Sequence, residues 1–98
     1  MKTLEDEFSN VAIMHLDMNM YYPKDALLLI RRCKELNKKI LGIDAFIVDG
    51  EKIQPSLEHS IDFSIKKSQN EYGFWEEAEN FIKQITNDKY VFEIVFKT

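Results

Sequence analysis

The side chains suited to metal binding or acid–base work are few, and their spacing is loose. His15 and Asp17 lie two residues apart, and His59 and Asp62 lie three apart. A zinc site takes three or four such donors, so neither pair suffices unless the fold unites them. Ser56, Ser60 and Ser64 flank His59, yet no nucleophile elbow or paired general base accompanies them. Two carboxylates for glycoside chemistry can be found among any 17 acidic residues, so their presence discriminates nothing. There is no glycine-rich phosphate loop, no paired-histidine helix motif and no cysteine cluster. Three glycines leave little room for backbone to approach a substrate or cofactor. Cys33, the single cysteine, falls in an apolar stripe and reads as a small buried hydrophobe, with no intrachain disulfide available to it. The expectation is a protein without catalytic residues, metal or cofactor.

Charge narrows the partner classes. The 98 residues carry 13 Lys and Arg against 17 Asp and Glu, a formal net charge of −4. A nucleic-acid binder needs clustered cations in surplus to displace counterions, and this chain lacks them. Arg31, Arg32, Lys34, Lys38 and Lys39 form the densest basic stretch, which reads as the solvated, cationic C-terminal part of a helix. Glu71, Glu76, Glu77 and Glu79 gather around a second helix start, with Glu58 and Asp62 upstream. Acids there complement the helix dipole, and they also suit a basic protein partner. Trp75 either caps the core or serves as an aromatic interface anchor beside Tyr72. The candidate partner-binding set is therefore Glu58, Asp62, Glu71, Tyr72, Trp75, Glu76, Glu77 and Glu79. No apolar run approaches the roughly 18 residues of a membrane span. The acidic opening from Met1 to Phe8 has no apolar core of a signal peptide, so the chain reads as cytoplasmic.

The positioning elements follow from periodicity. Ala12, Met14, Leu16, Met18 and Met20 share one parity, which predicts a half-buried strand. Pro23 opens a helix, predicted from Lys24 to about Lys38, along the stripe Ala26, Leu29, Ile30, Cys33 and Leu36. Ile40 to Val48 is a nearly continuous apolar run of the kind a central strand needs. Asp49-Gly50 predicts a turn and a return strand from Glu51 to Gln54, which Pro55 and Ser56 break. Ser60 to Ser64 predicts a further short edge strand, and Lys66 to Gly73 a loop. Phe74, Ala78, Phe81, Ile82 and Ile85 mark the second helix, ending at Asn87-Asp88, and Tyr90 to Phe96 alternates as the last strand. The expected architecture is one α+β domain over residues 1–98, in the order β-α-β-β-β-α-β. A mixed sheet of about four to five strands would carry both helices on one face. Ile30, Ile43, Phe81, Ile82, Ile94 and Phe96 form the expected core.

The helix DALLLIRRCKEL, the segment LGIDAFIVDGEKIQPSLEHSIDFS, the helix FWEEAENFIKQI and the strand YVFEIVF together resemble a known pattern. It is that of small bacterial immunity proteins of polymorphic toxin systems, specifically the family numbered 40. The match runs through Ala26 and Leu27, Leu41-Gly42-Ile43-Asp44, Asp49-Gly50 and the closing helix and strand, about Met20 to Phe96. Where that family carries an aromatic-rich loop, this chain has Pro55, Leu57 and His59. The resemblance implies inhibition of a cognate protein toxin by tight contact in the producing cell's cytoplasm, and the acidic charge of the chain suits steering toward a basic, nuclease-type toxin. A small ligand-binding or regulatory subunit, homodimeric through an edge strand, is the alternative, and an uncharacterised hydrolase is a weaker third. The sequence leaves the oligomeric state open.

Overall fold

A computed structural model describes residues 3–63, 73–85 and 89–97, apart from the side chains of Leu57 and Glu58. Its elements are α1 (Leu4–Glu7), β1 (Ile13–His15), β2 (Met18–Met20), α2 (Pro23–Glu35), β3 (Ile40–Asp49), β4 (Lys52–Asp62), α3 (Trp75–Lys83) and β5 (Tyr90–Phe96). Ser64, Glu71, Tyr72, most of the expected 66–73 loop and the Asn87-Asp88 helix stop lie outside the described residues.

The chain is α+β, with α2 and α3 packed against the sheet. Its main sheet runs β4-β3-β5, and Tyr21, just past β2, extends it by bridging Phe92 with reciprocal backbone bonds of 2.8 Å. All neighbouring pairs are antiparallel, where a mixed sheet was expected. The reason lies in the connections. The segment at Tyr21 runs parallel to β3 with β5 between them, and β4 runs parallel to β5 with β3 between them. Each strand–helix–strand unit thus skips one place, which an oppositely directed strand fills.

Local chemistry sets the element ends. Pro23 occupies the first turn of α2, where its missing N–H leaves nothing unpaired. The helix stops at Glu35 rather than near Lys38 because Asn37 turns left-handed (φ 55°) and Lys38 N–H bonds back to the Cys33 carbonyl at 2.8 Å. Asn37 does there what glycine more often does. At the head of α3, Phe74 is left-handed (φ 61°) and its ring stacks on Phe63 with centroids 5.0 Å apart. Gly73 precedes it for want of space, since a Cβ there would overlap the Trp75 ring.

Two strand expectations change. The alternating segment before α2 is a hairpin: β1 pairs with β2, and Leu16 and Asp17 form the turn at φ 51° and 64°. The return strand and the expected short edge strand are one strand, β4. Pro55 does not break it, because β4 lies at the edge of the sheet and needs no N–H there. The register slips between the pairs Ile43↔Ile61 and Ala45↔Ser56, making a bulge on β4. Ser60 bridges that gap: its hydroxyl accepts from Ala45 N–H at 3.1 Å and donates to the Ser56 carbonyl at 2.9 Å.

The main core lies between the helices and one sheet face, built from Leu29, Ile30, Cys33, Ile43, Ile82 and Phe92 among others. Phe81 and Phe96, expected in the core, are half-buried and flank it. A second, smaller cluster of Met20, Phe46 and Val91 occupies the opposite face, where Ile13 and Met18 of the hairpin, with Val48 and Ile53, pack against it.

Candidate protein-binding surface

The strand alternation divides the candidate residues between the two sides of the sheet. On α3, Glu76 and Glu77 are exposed, whereas Glu79 is held by Arg31 at 3.2 Å and Lys83 at 3.8 Å. Trp75 is half-buried against the main core, and its indole N–H donates to the Lys38 carbonyl at 2.8 Å. That bond ties the start of α3 to the segment entering β3. Asp62 is exposed on β4 opposite Gly42, on the side away from the helices. The acids of α3 and Asp62 therefore serve different faces. Glu71 and Tyr72 lie outside the described residues, as does the side chain of Glu58.

The helix-free face carries an acidic group that the sequence reading missed. Asp44 and Glu93 are direct cross-strand partners on β3 and β5. Burial, then the negative charge of Asp44 and a hydrogen bond with it, push the Glu93 carboxyl above its ordinary value. Like charges placed opposite one another weaken a strand pair unless a proton or a cation lies between them. No ion pair reaches either carboxylate among the described residues. Glu93 also lines a depression of about 130 Å³ together with Glu5, Asp17 and Tyr21. Burial and the charge of Glu5 raise the Tyr21 phenol in turn. A signal for this group was present, since Asp44 and Glu93 each interrupt an apolar strand, but their register was not readable from the sequence.

The most exposed large apolar side chains of the described residues are Leu16 at 78% and Met14 at 68%, both on the hairpin. Val95, at 38%, lies next to Glu93 along the same strand face, one pair further.

The residues suggestive of other chemistry are dispersed. His15 and Asp17 belong to the hairpin, while His59 sits in the β4 bulge with its ring tilted against Tyr90 at 4.8 Å. No three ligand-type side chains converge among the described residues. Ser56 Oγ lies 3.0 Å from His59 Nδ1, a contact within reach of proton exchange. Ser56 is only 7% exposed, and the neighbouring Ser60 bonds belong to the bulge, so the pair braces β4 where its ladder is interrupted. Cys33 is fully buried, and burial pushes its thiol up to about 12, which leaves it an inert apolar filler. The basic stretch is a solvated face, with Arg32 paired to Glu7 and Glu35. No helix among the described residues is long and apolar enough to cross a membrane.

Comparison with known protein families and with curated proteins finds no match to the chain.

Proposed function

We propose that this chain is an immunity protein that binds a cognate bacterial toxin and neutralises it by protein–protein contact, without chemistry of its own. The observation that carries the reading is the opposed pair Asp44 and Glu93, two carboxylates facing one another with no ion pair to either among the described residues. A basic partner supplies the missing positive charge. The exposed Glu76 and Glu77 on α3 add long-range attraction for the same kind of partner. The family resemblance of the sequence points the same way, toward a cognate toxin met in the cytoplasm, and the net charge of −4 suits a basic, nuclease-type one.

The partner to use is the purified product of the adjoining gene, because toxin and immunity genes are expected side by side. Binding rates are measured at three salt concentrations for the wild type and for Glu76→Lys with Glu77→Lys. Exposed charges act mainly on encounter, so the double variant is expected to associate more slowly and with a flatter salt dependence. His15→Ala and His59→Ala are expected to protect cells as the wild type does. Loss of protection in a folded histidine variant would overturn the purely binding mechanism.

A further inference from the structure

The hairpin of β1 and β2 has a packed inner face, while its turn and the outward side chain of Met14 are exposed. On the inner face, Met20 is fully buried with Phe46 and Val91, and Ile13 and Met18 pack against them. At the tip, Leu16 and Asp17 are both left-handed, at φ 51° and 64°. Two-residue turns of this kind favour Asn-Gly or Asp-Gly, because a Cβ crowds the backbone there. A leucine at the first position is therefore unfavourable locally. It is also 78% exposed, and Met14 on the same hairpin is 68% exposed. Neither residue belongs to either apolar cluster, so neither the strain nor the exposure is offset by packing within the described chain. Strain held by a rigid support is a mark of positions used for recognition.

We infer that this hairpin is the anchoring finger of the partner interface, with Leu16 and Met14 entering an apolar recess on a basic protein. The charge of the occupant follows from the surroundings. Asp17 shares the turn with Leu16 and lines one depression with Glu5 and Glu93, and Asp44 is the cross-strand partner of Glu93. An apolar recess ringed by Lys or Arg complements that arrangement, and the packed inner face holds the finger in place before contact, which lowers the ordering cost of binding. The inference rests on the reading of the chain as an inhibitor of a basic toxin, and it assigns the anchor to the hairpin rather than to Trp75.

Leu16→Asn separates a recognition role from a structural one, since asparagine tolerates the left-handed turn. The variant and the wild type are compared in thermal melts, in sedimentation of the free protein, and in dissociation from the immobilised product of the adjoining gene. The expected result is an unchanged or higher melting temperature together with dissociation at least about ten-fold faster. A lowered melting temperature would place Leu16 in the fold and overturn the inference. Wild-type dissociation rates in the variant would overturn it while leaving the inhibitor reading intact. No binding by the wild type would remove that reading and the inference with it. A wild-type dimer that Leu16→Asn dissociates would make the occupant a second copy of the chain, which also overturns it.

Discussion

Glu93 is held above its ordinary carboxylate range first by burial and then by Asp44. A raised carboxyl binds its proton more tightly in the folded chain than in the unfolded one. Its contribution to stability is therefore full below the ordinary carboxylate pKa and is lost as pH rises through the raised folded value. Glu93→Gln keeps a hydrogen-bonding group opposite Asp44 and removes the repulsion. It is expected to be more stable than the wild type at neutral pH, with the difference shrinking as the solution is made acidic. Urea melts between about pH 4 and pH 7 read both effects, and equal midpoints throughout would show that the pair is not repulsive. Trp75 is the other residue whose role the fold sharpens. Composition left it between core cap and interface anchor, and the bond from its indole to the Lys38 carbonyl shows it in service of the fold. Trp75→Phe is expected to cost about 0.5–1.5 kcal/mol in denaturant melts through that lost hydrogen bond. Its partner dissociation rate is expected to stay unchanged; a folded variant that dissociates ten-fold faster would return Trp75 to the interface.

At the scale of elements, α2, β3, α3 and β5 were legible because each has one dominant apolar period and clear punctuation. The misreadings have specific causes. Alternation from Ala12 to Met20 continues through the hairpin turn, and Leu16-Asp17 carries no glycine or asparagine to announce the reversal. Pro55 signals a break only if its strand must donate on both sides, and an edge strand need not. The β4 bulge was invisible for another reason: a serine side chain takes the place of a ladder bond, which no periodicity records. Ser60→Ala tests that substitution of side chain for backbone. It leaves Ala45 N–H without its acceptor in a partly buried place and is expected to destabilise by about 1–3 kcal/mol. Amide exchange at Ala45 is expected to quicken by more than the global loss of stability explains. Unaltered protection there would mean that the bulge is held by other bonds.

Across the whole molecule, burial was more readable than pairing. Ile30, Ile43, Ile82 and Ile94 are in the core as their periodic positions require, whereas Phe81 and Phe96 end half-buried at its margin. Periodicity gives a residue's face but not its distance from the edge of the sheet. Strand order was beyond reach for the same reason, since β5 enters between Tyr21 and β3 from the far end of the chain. The acidic group of Asp44 and Glu93 exists only because of that insertion. Ile43, at the centre of the sheet and fully buried, bears on the packing most directly. Ile43→Ala is expected to cost about 2–5 kcal/mol by lost transfer energy and a residual cavity. A loss under about 1 kcal/mol would contradict its central place. Contact without chemistry is the central claim, and titration calorimetry with the purified product of the adjoining gene tests it most directly. The expected result is heat that ends abruptly at a fixed whole-number stoichiometry, with each injection returning promptly to baseline. No heat beyond dilution, or steady heat that persists after substoichiometric injections as turnover would produce, would contradict it.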